Sequence, residues 1–334
     1  MKLSIIIVNY KSSNYIKDCL QSAIAFDSYK NFEWIVVDND SKDQSKETLM
    51  QEFTFLLWHD MGYNAGFARA NNAGIQMAKG DTVLLLNPDT LILNNAIQNT
   101  LDLFTASAYV ACGVQMLNPD LTPQISGNHF MKGGLNHLLP LPYWGGFLKW
   151  VASLLKVQKP SIEIANTEEK VDWISGAFLM VKKQAIEKAG LLDNDFFLYA
   201  EEVEWCSRLG KHGPLCIFGN IHIVHIIGEV ISANAGSKDK SYTNLYDQKG
   251  LQYMVSNHLR IRKQYGLFWF FIQLLNYTLA VPIYLIASLI ENIFTLKNPL
   301  PDIKKSLALG YNVARIWALS GRIILDQPYF YKVL

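Results

Sequence analysis

Three glutamates occupy four positions in the segment "FFLYAEEVEWC" at residues 196–206. A carboxylate at a helix start is stabilised by the helix dipole, and Glu204 stands four residues before Arg208, the favourable order for an exposed ion pair. A carboxylate can also act as a general base that takes a proton from an attacking hydroxyl. The segment is therefore either an ordinary acidic helix start or the site of a catalytic base.

Acidic and amide side chains also follow two apolar runs. "VVDNDS" covers residues 36–41, and "NPDT" covers residues 87–90. An Asp in the first can accept the N–H of a nucleobase or ribose hydroxyls, and an Asp in the second can hold a divalent cation shared with a diphosphate. The alternative at both places is an Asx turn that caps the following helix.

The segment "NAGFARANN" at residues 64–72 has the composition of a ligand-contacting loop that opens a helix. Gly66 permits close backbone approach, and Arg69 could face a phosphate. Asn71 and Asn72 then lie inside the helix, where Asn is unfavourable without another purpose. A glycine turn followed by a surface arginine is an equally simple interpretation.

Apolar runs and helical periodicity alternate along the first part of the chain, which predicts an α/β fold with a mostly parallel twisted sheet flanked by helices. The predicted strands are 3–8, 32–40, 54–58, a run ending at Asn87, and 109–117. Ligands of such sheets bind at the carboxyl ends of strands. The polar residues at those ends are Asn9, Asp38, Asn39, Asn64, Asn87 and Asp89.

Residues 129–160 are apolar and broken by glycines, and we interpret them as an insertion with a mobile or lipid-contacting surface. A strand and a helix are expected within 171–190, and two further strands at 215–218 and 221–227. We expect a catalytic domain over 1–240 and a helical tail over 241–334.

The tail combines positive charge with strong apolarity. Residues 235–334 carry a net charge of +7 and the rest of the chain −6. Residues 264–290 contain no charged side chain, and Pro282 interrupts them. A basic, apolar tail favours a membrane surface as its partner over nucleic acid. We expect two short helices in or on the leaflet rather than one span, and an in-plane helix over 304–325.

The chain has four cysteines, none of them in a CxxC pair, so zinc, redox and disulfide roles are disfavoured. The N-terminal apolar run ends at Asn9 and does not have the form of a signal peptide. We therefore expect the catalytic part to lie in the reducing cytoplasm.

Six segments occur in an order and spacing that resemble the family 2 glycosyltransferases, and most closely the rhamnosyltransferase-like branch of bacterial cell-surface polysaccharide synthesis. The resemblance covers about residues 3–265, and the segments are "SIIIVNYKS", "WIVVDNDSKDQS", "NAGFARANNAGI", "LLLNPDT", the stretch from "ISGAF" to "LGKHG", and "IVHIIGEV". It implies a GT-A fold, an inverting mechanism, a nucleotide-diphospho-sugar donor and a divalent metal, Mn²⁺ or Mg²⁺.

The resemblance also implies roles for individual residues. Asp89 matches the last position of the family's Asp-x-Asp metal motif, with Asn87 at the first, and His225 resembles the histidine that completes the site, with His222 as second choice. Donor binding is implied for Asn9, Tyr10, Asp38, Asn39, Asn64, Gly66, Arg69, Asn87 and Asp89.

The family places an acidic pair at a helix start, and its second member resembles the base. That member is Glu202 here, one methylene longer than the usual Asp. Glu201, Trp173 and Gly176 are expected to line the sugar or acceptor pocket.

The expected activity is transfer of a sugar, with rhamnose as the leading candidate, to a hydroxyl of a lipid-linked saccharide. It would take place at the cytoplasmic face of the bacterial inner membrane, with the protein peripheral or monotopic. A non-catalytic, membrane-tethered protein that binds nucleotide-sugars or glycans is the alternative. A nucleotidyltransferase is a weaker one, because no glycine-rich loop follows the first strand.

Overall fold

The computed structural model describes residues 2–157, 161–226 and 244–334. The chain divides into two compact units, which within those ranges comprise 2–129, 161–197 and 201–226, and 130–157, 198–200 and 244–334. The expected domain boundary at 240/241 and the end of the expected strand at 227 lie outside the described residues.

The first unit is built on a sheet of nine strands, and a separate pair forms a two-stranded sheet. The strands are β1 Leu3–Asn9, β2 Glu33–Asp38, β3 Leu56–Asp60, β4 Thr82–Leu86, β5 Thr90–Ile92, β6 Ala111–Leu117, β7 Gly127–Asn128, β8 Glu168–Val171, β9 Trp173–Ile174, β10 Phe178–Lys182 and β11 Leu215–His225. The helices of this unit are α1 Ser13–Ile24, α2 Ser45–Glu52, α3 Gly66–Met77, α4 Ala96–Ala106, α6 Lys183–Ala189 and α7 Glu201–Leu209.

The strand order of the large sheet is β3-β2-β1-β4-β10-β6-β11-β5, and β8 pairs with β11 beside this path. The pairs from β3 to β4 are parallel, as the alternation of strands and helices predicts. β10 is antiparallel to both of its neighbours. β1, β2 and β4 are buried on both faces and rich in branched apolar residues, which is why they form the centre of the core.

Two features of the sheet differ from the sequence expectation. The runs at 215–218 and 221–227 are one strand, β11, whose register shifts between Phe218 and His222. β5 was not expected, since three residues after a Pro–Asp turn carry too little periodicity to predict a strand. β5 forms because Leu91 and Ile92 pair with the end of β11.

The second unit is helical. A 3₁₀ segment covers Lys132–Leu138, and the helices are α5 Trp144–Leu154, α8 Gln248–Tyr265, α9 Leu267–Thr295 and α10 Leu300–Ile324. The expectation of two short helices over 264–290 was wrong, because α9 continues through Pro282. Its buried face packs against the 3₁₀ segment, α8 and α10, and this tertiary packing compensates for the backbone hydrogen bond that Pro282 cannot donate.

The cysteine side chains lie inside the first unit and are buried there. Burial raises the pKa of Cys19 and of Cys206 to about 12. We therefore predict that the native protein does not react with a thiol reagent such as DTNB at pH 8, and that denaturation in guanidinium releases all four thiols. Rapid labelling of the native protein would contradict the burial of the cysteines in the core.

Candidate functional site

Amide and acidic side chains link the ends of β1, β2 and the start of α3. Asn9 is fully buried, and its Nδ2 donates to Asp38 Oδ1 at 2.7 Å and to Ser41 Oγ at 3.0 Å. Asn39 Nδ2 donates to Asn64 Oδ1 at 3.1 Å, while Asn39 Oδ1 accepts from Ala65 N at 2.7 Å. Four of the six residues that we predicted from the strand ends, Asn9, Asp38, Asn39 and Asn64, thus form one network, which is joined by the hydrogen bond from Asn39 N to Asn9 O at 2.8 Å.

Asp38 sits at the centre of this network and keeps part of its surface accessible. Its second oxygen, Oδ2, accepts from Ser41 N at 3.1 Å. Tyr10, which follows Asn9, is also half-buried. Asn9 and Asn39 are buried and use their amides to fix the neighbouring strand ends, whereas Asp38, Tyr10 and Asn64 are half-buried and keep surface that a ligand could reach.

α3 anchors the loop that precedes the glutamates. Asn72 Nδ2 donates to Leu192 O at 2.8 Å, and Asn72 Oδ1 accepts from Leu192 N at 3.0 Å. Arg69 Nε donates to Asn194 O at 2.9 Å. The unfavourable Asn inside a helix is therefore explained by its hydrogen bonds to this loop, and the structure places Arg69 against the same loop.

Gly66 occupies a position that no other residue fits. Its φ is +75°, and an added Cβ would overlap the carbonyl oxygen of Phe197. The next residue, Phe67, donates its N–H to that carbonyl at 2.8 Å. The close approach that the sequence analysis assigned to a ligand is made here by the chain itself.

A second cluster joins the end of β4 to the end of β11. Asp89 and His225 are both buried, and Asp89 Oδ1 lies 3.4 Å from His225 Nε2. Asn87 Nδ2 lies 3.4 Å from the same nitrogen. The other ring nitrogen, Nδ1, lies 3.1 Å from Oε1 of the buried Gln124. The structure thus brings Asn87, Asp89 and His225 together.

The donor set of this cluster suits a divalent cation. A carboxylate oxygen and an imidazole nitrogen are good ligands for Mn²⁺, and an amide oxygen can add a third. In the part of the chain that the structure describes, no group of three or more His, Cys, Asp and Glu side chains could hold a metal without further ligands. Oxygens from a substrate would have to complete the coordination.

The three glutamates of α7 differ in environment. Glu204 is buried and receives two hydrogen bonds from Arg208 Nε, at 2.8 and 3.0 Å, and one from Arg208 Nη2 at 2.7 Å. The predicted pair therefore exists, although it is partly buried rather than exposed. Glu201 is also buried, whereas Glu202 is half-buried.

Glu202 lies beside Gly176. A Cβ added at Gly176 would stand 3.6 Å from Glu202 Cγ and 3.4 Å from the ring of Phe67. Trp173 is half-buried in β9, which pairs with β7. The backbone N–H of Asn87 donates to Ala177 O at 3.0 Å, so the strand that carries Asn87 is bonded to the segment next to Gly176.

Cys206 is the strongest nucleophile by type near these acids, and it is inert. Burial is the main cause of the rise in its pKa to about 12, and the charges of Glu202 and Glu204 add to it. The site therefore has carboxylates and an imidazole to work with, and no thiolate.

The sequence matches the model of the family described as "Glycosyl transferase family 2" over residues 4–187. This match spans β1 to α6 and contains the strand-end network, Asn87, Asp89 and Gly176. The chain belongs to glycosyltransferase family 2. Glu202 and His225 lie beyond the matched residues.

Curated relatives of this family 2 glycosyltransferase act in glycan synthesis. It is 29% identical over 215 residues to the low-salt glycan biosynthesis hexosyltransferase Agl10 of Haloferax volcanii, a match that covers 62% of this chain and 61% of the relative. It is 26% identical over 233 residues to the N-acetylglucosaminyl-diphospho-decaprenol L-rhamnosyltransferase of Mycobacterium tuberculosis. This match covers 65% of this chain and 73% of the relative. It is 25% identical to the rhamnosyltransferase WbbL of Escherichia coli K12, covering 66% and 83%.

Solved structures confirm the GT-A fold of this family 2 glycosyltransferase. The mannosyltransferase PcManGT from Pyrobaculum calidifontis, in complex with GDP-Man and Mn²⁺, superposes with a TM-score of 0.54 at 14% identity and covers 98% of this chain and 88% of its own. GalNAc-T7 with UDP, GalNAc and Mn²⁺ gives a TM-score of 0.51 at 15% identity, covering 67% and 43%.

The contact between Gly66 and Phe197 generates a prediction with a matched control. We expect Gly66→Ala to lower the free energy of unfolding by about 2–4 kcal/mol and to unfold at a lower urea concentration. The substitution combines left-handed backbone strain with overlap against a backbone oxygen. Gly62 has a similar φ of +74° and nothing within 4 Å of an added Cβ. Gly62→Ala should cost only the left-handed strain, about 1–2 kcal/mol. Equal losses in urea unfolding would show that the contact does not constrain the loop.

Proposed function

We propose that this chain is a metal-dependent, inverting glycosyltransferase that moves a sugar from a nucleotide-diphosphate donor to a hydroxyl of a lipid-linked saccharide. The observation that carries the proposal is the meeting of Asp89 and His225 at 3.4 Å, at the carboxyl ends of strands in a GT-A sheet. Ligands of open α/β sheets bind at such strand ends.

Asp89 and His225 are the residues that would hold the cation, because Asn87 turns its Nδ2 donor toward His225 Nε2. The bound metal would supply positive charge that stabilises the departing diphosphate. Asn in place of a second carboxylate gives the site one negative charge less than an Asp-x-Asp motif provides. Coordination by the donor's own diphosphate oxygens would supply the missing anionic ligands, so metal and donor should bind together.

Glu202 is the proposed general base. Its carboxylate would accept the proton of the acceptor hydroxyl while that oxygen bonds to the anomeric carbon. The bond from that carbon to the diphosphate oxygen breaks on the opposite face, and the configuration inverts. Glu202 is half-buried and beside a glycine, whereas Glu201 and Glu204 are buried. The environments of the three acids therefore favour Glu202.

Asp38 and Tyr10 are the proposed contacts of the donor's nucleoside. Both are half-buried, whereas Asn9 and Asn39 of the same network are buried and use their amides within the protein. The names of the mycobacterial and Escherichia coli relatives make rhamnose the first sugar to test, and the hexosyltransferase from Haloferax keeps hexoses open. The decaprenol in the mycobacterial name supports a lipid-linked acceptor.

The second unit supports a membrane surface as the place of action. α9 is the one helix among the described residues that is long and apolar enough to cross a membrane. Its buried face carries polar side chains, including Gln273, which donates to Gly133 O and Gly134 O, and Asn292, which donates to Asp302. Its outward face is mainly apolar, with Glu291 and Thr295 exposed near its C-terminal end.

A helix at the surface of a soluble protein exposes mainly polar side chains, whereas α9 exposes mainly apolar ones and also buries apolar ones such as Phe270 and Leu274. The large apolar side chains exposed on α9 are Leu267, Phe268, Phe271, Leu275, Leu279, Ile286, Ile290, Ile293 and Phe294. A helix packed along one face and exposed along the other fits a protein lying in one leaflet at the cytoplasmic side, with its lysines and arginines near anionic headgroups.

Replacement of the proposed base tests the chemistry. We expect Glu202→Gln to lower transfer by about 10²–10⁴-fold, because the amide cannot take the proton, while donor affinity stays within about twofold. The measurement is release of nucleoside diphosphate from dTDP-rhamnose and UDP-hexoses, with membrane glycolipid extract and with or without Mn²⁺. Glu187→Gln, on the exposed surface of α6, is the matched control and should keep full activity.

Two outcomes would overturn parts of this proposal. If Glu202→Gln loses donor binding as well as transfer, Glu202 has a structural role in the donor site and is not the general base. If the wild-type protein binds UDP or dTDP with Mn²⁺ but turns over no donor with any extract, a non-catalytic binding protein replaces the enzyme.

Charges on the outward face of α9 test the membrane surface. Leu275 and Ile286 are 53% and 58% exposed, and the double variant Leu275→Asp, Ile286→Asp should fold normally. We expect it to co-sediment at least about tenfold less with vesicles of phosphatidylglycerol and phosphatidylcholine, because each carboxylate would enter the hydrocarbon boundary. Leu103→Asp, at a site 50% exposed on α4, should co-sediment like the wild type. Unchanged sedimentation of the double variant would contradict the assignment of this face.

A further inference from the structure

Gln124 lies in the irregular segment between β6 and β7 and is buried, with 6% of its surface exposed. Its Nε2 lies 2.6 Å from His225 O, 3.1 Å from Leu117 O and 2.9 Å from Asn118 Oδ1. Two of these neighbours are backbone carbonyls, which can only accept hydrogen bonds. The amide nitrogen of Gln124 must therefore be on this side, and a flipped amide would face oxygen with oxygen.

This orientation fixes the opposite end of the amide. Gln124 Oε1 faces His225 Nδ1 at 3.1 Å. A glutamine oxygen accepts and cannot donate, so the hydrogen of this bond belongs to His225 Nδ1. In the neutral imidazole the second nitrogen, Nε2, then carries a lone pair.

The surroundings of Nε2 agree with that assignment. Asn87 Nδ2, a donor, lies 3.4 Å from Nε2. Asp89 Oδ1, an acceptor, lies at the same distance of 3.4 Å. Two atoms with lone pairs that face each other repel unless a cation or a proton lies between them, which is the arrangement of two ligands of one metal ion.

We propose that Gln124 is a positioning residue that holds the imidazole of His225 in the Nδ1–H tautomer and directs Nε2 toward a divalent cation. This inference rests on the proposed metal site, and it assigns a role to a residue that has no direct access to the cation. Residues that orient a metal-binding histidine through its other nitrogen commonly change metal affinity by about 10–100-fold when replaced.

The tautomer can be measured without activity. In ¹⁵N-histidine-labelled protein free of metal at pH 8, His225 should show a protonated Nδ1 and an unprotonated Nε2 in long-range ¹H–¹⁵N spectra. His225→Gln identifies the signal by its disappearance. A wild-type spectrum in which Nε2 carries the proton would overturn the inference, whatever the variants do.

Metal affinity gives the second readout. Mn²⁺ binding, followed by electron paramagnetic resonance with UDP present, should weaken about 10–100-fold in Gln124→Met. Gln252 is the matched control, since it is fully buried and its amide also bonds to backbone groups, Tyr331 O and Val333 N. Gln115 is unsuitable, because its Nε2 donates to Gln124 O at 2.8 Å. Gln252→Met should keep Mn²⁺ affinity within about twofold, because these hydrogen bonds lie within the second unit.

The two proposals fail in different ways. If Gln124→Met binds Mn²⁺ like the wild type and keeps the Nδ1–H signal, Gln124 does not position His225, while the metal site stands. If His225→Ala binds Mn²⁺ as tightly as the wild type, the metal site itself is wrong.

Discussion

The short antiparallel ladder between β5 and β11 is the constraint on which the candidate metal site depends. It pairs Thr90 with His225, and the N–H of Ile226 donates to Asp89 O at 2.9 Å. Asn87 and His225, which are 138 positions apart, become neighbours through this pairing. Backbone hydrogen bonds fix the direction and register of β5 and β11, and they hold the turn that carries Asn87 and Asp89 next to His225.

The approach to the glutamates is fixed by a different device. The polar residues of α3 hold the loop over residues 190–197, and the chain then passes through Tyr199 and Ala200, whose φ values are 73° and 67°. Left-handed backbone at two consecutive residues with side chains costs about 1–3 kcal/mol each and persists only where the surroundings determine it. α7, which carries Glu202, begins directly after these two residues.

The sequence permits prediction of those parts of the site that local chemistry decides. The polar residues after β1, β2 and β4 can be recognised because each ends a buried apolar run. The ion pair of Glu204 with Arg208 follows from helical spacing alone. Gln124 and β5 could not be found this way. Gln124 lies in an irregular segment and acts through a contact 101 positions away, and β5 exists only because β11 is beside it. The continuity of α9 through Pro282 likewise comes from packing that local propensity does not encode.

The three glutamates of α7 show how one helical turn separates acids of the same type. Glu204 faces the protein and is neutralised by Arg208, so its charge serves stability. Glu202 has a glycine beside its Cγ, where a side chain at residue 176 would make contact at 3.6 Å. The absence of a side chain at Gly176 leaves room for the methylene that distinguishes Glu from the Asp more usual in this family. A methyl group at residue 176 would reach ordinary van der Waals contact with Glu202 Cγ, and a larger side chain there would compete with the Glu202 side chain for this space.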